Sequence, residues 1–190
     1  MARSPYDKQI SNRNFLSATS FKFSIAKCPK VDFLSNQCNV PGMNLSLATQ
    51  PTYLRQIDLP GDELSFDDFT LDFMVDENLE NFMEIQKWMR GLGYPESLQE
   101  IFNLQREQKL LDTERTGLEN IFSDGTLTVL TNNQNPNFLI KFKDLWPYNL
   151  TTLNFDATDT DIQYFTAEAS FKYTIYNITD LSGKDYGSGS

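Results

Sequence analysis

Acidic side chains alternate with large apolar ones in the stretch FDDFTLDFMVDE, residues 66–77. Carboxylates that lie close together could bind a metal ion or serve as the acid and base of a hydrolase. In an extended strand of about 3.3 Å per residue, however, Asp68 and Asp72 lie about 13 Å apart, and Asp76 lies as far again. Metal ligands sit about 2.0–2.6 Å from the ion and glycosidase carboxylates about 5–10 Å apart, so the spacing favours neither site. We therefore interpret these carboxylates as the solvated face of a strand.

The sequence contains no histidine, which removes the commonest general base and the main transition-metal ligand. Cys28 and Cys38 match no zinc-binding or redox spacing, and we expect reduced cysteines of which one or both are buried; the alternative is a disulfide across the short loop. The stretch GLG at 91–93 lacks the strand and helix context of a phosphate-binding loop. The sequence thus predicts a protein that is not an enzyme and that has neither a metal nor another cofactor.

Length and charge set the broad class of the protein. The 190 residues suffice for one well-cored domain, and 15 Phe with 8 Tyr suit a β-rich core. The formal charge of −10 argues against a protein that binds nucleic acid by neutralising phosphates. No window reaches the roughly 20 apolar residues of a membrane helix, and residues 1–15 lack the apolar region of a secretory signal. We expect a protein that is made in the cytoplasm and does not contact a membrane.

Alternation with a period of two predicts two long strands. Residues 68–76 place Phe69 and three further apolar residues on one face, with the polar residues and Met74 on the other. Residues 162–178 repeat the pattern, with Ala and Phe on one face and Glu168 and Lys172 on the other. Each strand is expected to bury one face.

Shorter patterns indicate further strands and turns. Residues 21–25 alternate as a half-buried strand, and residues 123–145 contain two strands joined by an Asn- and Pro-rich turn. The second of these strands is expected to end at Trp146, before Pro147. Pro-Gly pairs in the stretches 40–43 and 59–64 predict turns.

The hydrophobic period changes to three and four from Leu79 onward and predicts a helix near 78–90. Asp76 or Asn78 could cap its start and Gly91 could end it. Trp88 lies off the main apolar stripe. We expect Trp88 and Trp146 to be core or interface anchors, because aromatic side chains dominate packing.

The chain is expected to be a single domain between two flexible arms. Residues 1–14 are polar and mixed in charge, and residues 181–190 are rich in Gly and Ser. Residues 15–180 form the domain, within which 96–122 is interpreted as a surface excursion that is partly helical. No internal repeat or linker divides the sequence.

The order of these features is informative. A first strand leads to a turn at Cys38–Pro41, then a Gly-Asp pair runs into FDDFT, and a Trp-containing helix follows. Late in the chain come LWPYNLTTLNFD (145–156) and DIQYF (161–165). In this order and in these motifs the sequence resembles the tail tube proteins of contractile-tailed bacteriophages. The resemblance covers about residues 20–95 and 123–178, and Phe69 stands where the family usually has Trp. The matching positions are Gly61, Asp62, Phe66, Asp67, Asp68, Thr70, Asp76, Leu145, Trp146, Pro147, Asn149, Phe155, Asp156, Ile162 and Phe165.

The resemblance implies a mainly β fold of two packed antiparallel sheets, a barrel-like sandwich with one flanking helix and extended loops. In that family six subunits join their sheets edge to edge into a ring, and rings stack into the inner tail tube. Closing a ring removes exposed strand edges, which are an aggregation hazard in a monomer. Strands 66–77 and 162–178 would form the ring wall, and the polar arms with the 42–60 loop would bridge rings. The expected wall and assembly residues are Phe66, Asp68, Thr70, Asp72, Asp76, Trp88, Trp146, Pro147, Glu168 and Lys172.

The implied partners are other copies of the chain, a tail sheath, and baseplate or terminator proteins of a virion. Double-stranded DNA would pass through the lumen without specific binding, since acidic side chains facing the lumen would repel its phosphates. The alternatives are a baseplate protein that initiates the tube and the tube component of a contractile injection or type VI secretion system. Outside this structural class, the alternatives are a carboxylate-dependent enzyme and a small-ligand-binding β-barrel.

Overall fold

The computed structural model of the chain describes residues 15–32, 34–111, 121–156, 158 and 164–185. The predicted N-terminal arm, part of the predicted C-terminal tail and part of the predicted excursion lie outside the described residues. The strands are β1 Phe21–Ile25, β2 Ser35–Cys38, β3 Met43–Pro51, β4 Gln56–Phe66, β5 Phe69–Met74, β6 Ser123–Leu130, β7 Pro136–Leu150, β8 Thr166–Lys172 and β9 Ile175–Asp180. The helices are α1 Pro29–Asp32, α2 Glu80–Gly93 and α3 Gln99–Leu111.

Seven strands form one antiparallel sheet in the order β1-β6-β7-β8-β5-β2, with β9 paired to β7. The long strand β7 belongs to two halves of this sheet. Its first part pairs with β6 and β9, and its last part, from Trp146, pairs with β8. We call the strands β2, β5, β8 and the last part of β7 the four-stranded half. The sheet folds back on itself, so that the Phe69 ring of β5 lies 4.8 Å from the Phe23 ring of β1. This arrangement confirms the predicted mainly β sandwich.

Aromatic side chains fill the centre between the two halves. The Phe69 ring centroid lies 4.7 Å from that of Phe142 and 6.0 Å from that of Phe171, and all three side chains are fully buried. Helix α2 adds Ile85 and Trp88 to the same cluster. The helix and both halves of the sheet therefore share one hydrophobic core.

The pairing of β5 with β8 confirms the alternation read from the sequence. Phe69, Leu71 and Phe73 are buried and lie opposite buried residues of β8, whereas Asp72 is only partly covered. The polar face of β8 carries exposed Glu168 in the same way. Burial of one face explains the fixed register, since a shift of one residue would place every apolar side chain in water.

Two strand ends differ from the prediction. The predicted strand 162–178 is interrupted at Tyr173 and Thr174, so β8 and β9 follow one another along the same side of β7. The backbone N–H of Thr174 still donates to the Lys143 carbonyl at 3.0 Å. Strand β7 also does not end at Trp146 but continues through Pro147 to its last residue. A proline is tolerated there because this part of β7 is an edge with a bulge.

Helix α2 begins differently from the prediction. The capping position is held by Leu79 in the left-handed conformation, at φ 58°, without a side-chain cap; neither Asp76 nor Asn78 caps it. Instead, the Asn81 amide oxygen accepts the N–H of Asp76 at 3.2 Å, and its nitrogen donates to the Met74 carbonyl at 2.7 Å. The buried Asn81 side chain thus fastens the start of the helix to the end of β5.

Gly91 does not end α2, which continues to Gly93 and closes with the N–H of Tyr94 on the Arg90 carbonyl at 2.7 Å. A Cβ atom at Gly91 would lie 2.7 Å from a methyl carbon of Leu104, so glycine here permits the close approach of α3. Part of the predicted surface excursion is therefore a helix packed on α2. Within the described residues, no helix has both the length and the apolar composition needed to cross a membrane.

Strands β3 and β4 form a separate two-stranded hairpin. The turn predicted at 59–64 is wrong, because these residues lie inside β4, and the chain reverses at 52–55 instead. Gly61 lies at a bulge opposite Ser46, where a Cβ would stand 2.7 Å from the Ser46 carbonyl oxygen. The glycine therefore allows a close strand approach rather than a turn.

Candidate assembly surfaces

The polar face of the four-stranded half carries half of the predicted wall and assembly residues. Thr70 and Asp72 lie on β5 opposite Ser170 and Glu168 of β8. Lys172 is the last residue of β8 and forms an ion pair with Asp68, which directly precedes β5. The fold therefore brings five predicted residues together, namely Asp68, Thr70, Asp72, Glu168 and Lys172. The other predicted residues lie at the ends of this face, beneath it or on its edge.

Asp68 is held in a small network on this face. One carboxylate oxygen accepts a hydrogen bond from the Tyr148 hydroxyl at 2.5 Å, and the other pairs with the Lys172 ammonium group. The ammonium also lies 5.3 Å from the centre of the Tyr148 ring. Hydrogen bonding from Lys172, then from Tyr148, holds the pKa of the Asp68 carboxyl below its usual range. The charge of Asp68 is thus compensated locally, and the network joins β5, β8 and β7.

Asp72 has the opposite surroundings. It lies directly opposite Glu168 in the strand register, and in the described part of the chain neither carboxylate has an ion-pair partner. Like charges directly opposite each other destabilise a sheet. The net negative charge of this face therefore comes from Asp72 and Glu168 rather than from Asp68.

Replacing Asp72 with asparagine is expected to stabilise the isolated chain. The substitution removes the repulsion by Glu168, which should raise the free energy of unfolding by about 0.2–1 kcal/mol at low salt. Urea unfolding at low and high ionic strength measures this gain, which should shrink with salt as the repulsion is screened. Asp62→Asn on the exposed hairpin is the control and should change little. A salt-independent loss of stability in Asp72→Asn would contradict the repulsion.

Two strand edges of the four-stranded half have no partner among the described strands. Strand β2 pairs only with β5, and the segment 146–150 of β7 pairs only with β8. These edges are similar in length, with four and five residues. Because neighbouring strands alternate in direction, the two edge strands run antiparallel to each other. The half therefore carries complementary edges on its two sides.

The hairpin presents an apolar face to solvent. Met43, Leu45 and Leu47 alternate along β3, and Leu64 of β4 lies opposite Leu45. These side chains retain 59, 51, 71 and 50% of their exposure, respectively. An apolar strip of this kind on a projecting element is typical of a surface that contacts another protein. The predicted 42–60 loop is thus a structured arm.

The base of the hairpin is packed against two tyrosines. Phe66, the last residue of β4, lies with its ring 6.1 Å from Tyr173 and 5.7 Å from Tyr176. The Tyr173 hydroxyl donates to the Asp67 carbonyl at 2.8 Å, and the Tyr176 hydroxyl donates to the Pro41 carbonyl at 3.1 Å. The predicted wall residue Phe66 therefore belongs to a cluster that joins the hairpin to the sheet.

The Tyr173 hydroxyl is expected to titrate abnormally. Burial, followed by the neighbouring Tyr176 and Asp67, raises its pKa to about 12. The neutral phenol stabilises the fold fully below the ordinary tyrosine pKa of about 10, and this stabilisation is lost as the pH rises through about 12. The difference in phenolate absorbance between the native chain and Tyr173→Phe reports the titration of Tyr173. This difference should rise near pH 12 in the folded chain and near pH 10 in the chain unfolded by urea. A step near pH 10 in the folded chain would show that Tyr173 is not covered.

The remaining predicted site residues lie beside the wall. Trp88 is buried under the four-stranded half, where its indole N–H donates to the Ile121 carbonyl at 2.9 Å and its ring lies 6.4 Å from Phe171. Trp146 and Pro147 lie on the open β7 edge, the tryptophan partly covered and the proline buried. These positions suit a core anchor and an edge strand, respectively.

The described residues do not form a metal centre, and one cavity lies at the β6–β7 turn. No group of three or more Cys, Asp or Glu side chains in the described ranges is arranged to hold a metal ion. A cavity of about 480 Å³ lies between Phe15 and the β6–β7 turn, and its lining is made of asparagines with Leu16, Thr131 and Phe138. This lining has no ionisable side chain, so it offers no acid or base for catalysis.

Comparisons with models of protein families and with curated proteins find no match to the sequence. Comparison with solved structures does. A chain in the baseplate of the anti-feeding prophage aligns over 90% of this chain and 99% of its own length, with a TM-score of 0.56 and 11% identity. A chain in the tube-terminating cap of the same particle aligns over 94% and 100%, with a TM-score of 0.56 and 11% identity.

A third structure is the sheath–tube complex of an extracellular contractile injection system. One of its chains aligns over 95% of this chain and all of its own length, with a TM-score of 0.54 and 13% identity. The chain has the tube-protein fold of contractile injection systems. The fold predicted from the resemblance to tail tube proteins is therefore confirmed, and at these identities the likeness concerns the fold. The alignments span nearly the whole length of this chain and of the three similar chains.

Sequence reasoning missed three structural features of these surfaces. The pairing of Asp68 with Lys172 and Tyr148 joins residues 104 and 80 positions apart, which no local pattern reveals. The apolar face of the hairpin was visible as alternating Met43, Leu45 and Leu47, but Pro-Gly signals obscured the strand. Tyr173 and Tyr176 gave no signal, because they continue the alternation of a strand.

Proposed function

We propose that this chain is a non-enzymatic structural subunit that forms hexameric rings, and that the rings stack into the inner tube of a contractile particle. The observation that carries the proposal is the pair of open edges on the four-stranded half. Since β2 and the end of β7 run antiparallel, joining β2 of one copy to β7 of the next continues the alternation of the sheet. Repetition around an axis gives a closed barrel without free edges.

In this assembly the polar face of the four-stranded half lines the channel. Asp72 and Glu168 then contribute uncompensated negative charge around the lumen, whereas Asp68 is neutralised by Lys172. Such a surface repels phosphates, which suits the passage of double-stranded DNA without binding. With a sheath around the tube and baseplate or terminator proteins at its ends, the subunit would be part of the tail of a phage virion.

The hairpin serves as the contact between rings. Its apolar face projects from the domain and would be buried by a copy in the adjoining ring. A contact that repeats along an axis without closing produces a filament. Edge pairing thus accounts for the ring and the hairpin for the stack.

A second candidate is supported by the comparisons, since two of the similar structures are a baseplate and a tube-terminating cap. A subunit of that kind starts or ends a tube and forms one or two rings. The sheath–tube complex supports a third variant of the same role, the tube of a contractile injection system that carries protein instead of DNA.

Electron microscopy of the purified chain over a range of concentrations tests the proposal. Long hollow tubes support a polymerising tube subunit, and isolated rings support the baseplate or cap role. Sedimentation velocity at the lowest concentration supplies the reference for the single subunit. A monodisperse monomer at every concentration would contradict both roles.

A further inference from the structure

Two tyrosines hold the two backbone connections of the hairpin. Asp67 follows β4 directly, and Pro41 stands two residues before β3 begins. The Tyr173 hydroxyl donates to the Asp67 carbonyl at 2.8 Å and the Tyr176 hydroxyl donates to the Pro41 carbonyl at 3.1 Å. Entry to the hairpin and exit from it are therefore each bonded to the sheet by one phenol.

The tyrosines come from a special place in the sheet. Tyr173 lies in the break between β8 and β9, and Tyr176 lies just inside β9, so both are fixed along β7. Their rings lie 5.2 and 5.8 Å from the buried Phe142 ring, and 6.1 and 5.7 Å from Phe66 of the hairpin. The contacts run without a gap from the centre of the core to the base of the arm.

The direction of the hairpin depends on its two backbone connections to the sheet. The connections at 41–42 and 67–68 lie outside the strands, so rotation about them would swing the hairpin as a unit. The N–H of Asp67 bonds the Gly42 carbonyl at 3.0 Å, which joins the two connections to each other but not to the sheet. The two phenol hydrogen bonds and the Phe66 contacts join them to the sheet next to the hairpin. The bonds of Asp68 with Lys172 and Tyr148 hold the far end of the second connection, beyond the carbonyl that Tyr173 binds.

We propose that Tyr173 and Tyr176 are positioning residues that fix the direction of the β3–β4 hairpin before a second copy of the chain binds it. This inference rests on the proposed function for the identity of the partner. An arm that is already oriented loses less conformational freedom on binding, so assembly is stronger for the same apolar contact. The hydroxyls supply direction, because a hydrogen bond to a carbonyl is geometrically selective in a way that ring packing alone is not.

Distance measurement between two spin labels tests the proposal on the unassembled full chain. One label is attached at Tyr53→Cys at the hairpin tip and the other at Lys141→Cys on β7, in a Cys38→Ser background; Cys28 is buried. The parent should give one narrow distance peak. Removal of one hydroxyl, by Tyr173→Phe or Tyr176→Phe, should raise the ratio of displaced to docked arms about fivefold, and the double variant about 30-fold. Tyr164→Phe, at an exposed tyrosine, is the matched control and should leave the peak unchanged.

The phenylalanine variants keep the rings and hence the packing with Phe66 and Phe142. Amide exchange in β6 and β7 should therefore stay slow while the distance distribution broadens, which a general loss of folding would not produce. If the double variant fails to fold, the single variants decide, since each keeps one hydrogen bond. A native distance peak in the folded phenylalanine variants would overturn the proposal.

Assembly of the same variants, without labels, separates this inference from the proposed function. Tubes from the native chain and fewer tubes from the loosened variants support both. A native chain that never assembles, with an arm that loosens in the variants, contradicts the proposed function but supports the positioning role. Variants with a loosened arm that assemble as readily as the native chain overturn the link between arm direction and assembly.

Discussion

A chain with Leu45→Asp and Leu47→Asp is expected to remain folded but to fail to assemble. Both side chains project from the apolar face of the hairpin and retain at least half of their exposure, so the folded subunit loses little packing. In the proposed ring-to-ring contact their burial would contribute about 3 kcal/mol together, a factor of about 100 in affinity. Burying two carboxylates would add a further penalty. Because the contact recurs around each ring, the loss should abolish stacking.

Sedimentation velocity and electron microscopy across a concentration series measure this effect, and urea unfolding checks that the subunit is intact. Leu59→Asp supplies the matched control, since Leu59 pairs with Ala48 on the other face of the same hairpin. Its effect on stacking should be much smaller. Tubes from the double variant at the concentrations that suffice for the native chain would show that this face is not the contact.

The centre of the predicted strand 66–77 was predictable because its period of two reflects burial of one face, but its bounds were wrong, since β5 spans only Phe69–Met74 and Phe66 ends β4. Phe69, Leu71 and Phe73 are in the core, and the aspartates between them are not. The same physics made a shared metal improbable from the spacing of Asp68 and Asp72. What the sequence could not supply was the neighbour of each carboxylate, because Lys172 and Glu168 arrive from a distant strand whose register is set by the fold.

The hairpin was mispredicted because a Pro-Gly pair is ordinarily a turn signal. In this chain the bulge opposite Ser46 uses the glycine for close approach, and the real turn, Thr52–Arg55, contains neither glycine nor proline. Local preference was overridden by strand pairing, which is common for β structure. The resemblance to tail tube proteins predicted that this region bridges rings, which stays a prediction, and its shape could be described only from the structure.

The break between β8 and β9 escaped detection for a related reason. Tyr173 and Tyr176 fit the alternation of a single strand, although their hydroxyls bond backbone carbonyls of the hairpin connections. A pattern of polar and apolar residues does not distinguish an amphipathic tyrosine that packs on its own sheet from one that reaches another element. At such positions the sequence pattern gives no information about which element the side chain contacts.

Phe69→Ala is expected to have the largest effect on the stability of the subunit. Its fully buried ring, on the four-stranded half, touches two rings of the other half, at 4.8 Å from Phe23 and 4.7 Å from Phe142. Replacing a buried phenylalanine with alanine costs about 3–5 kcal/mol, because transfer free energy is lost and a cavity remains. This is a large part of the 5–15 kcal/mol that stabilises a typical domain. Urea unfolding followed by circular dichroism measures the loss.

The tryptophan usual in tail tube proteins at this position provides the companion variant. Because Phe69 already has aromatic neighbours at contact distance on two sides, Phe69→Trp should overfill the site and cost about 1–3 kcal/mol. Asp72→Asn, three residues away on the solvated face, should change stability in the opposite direction. A neutral Phe69→Ala would mean that the two halves of the sheet are not held together at this point. The sandwich would then lack its central contact, and the edges that the proposed ring requires would not be held in place.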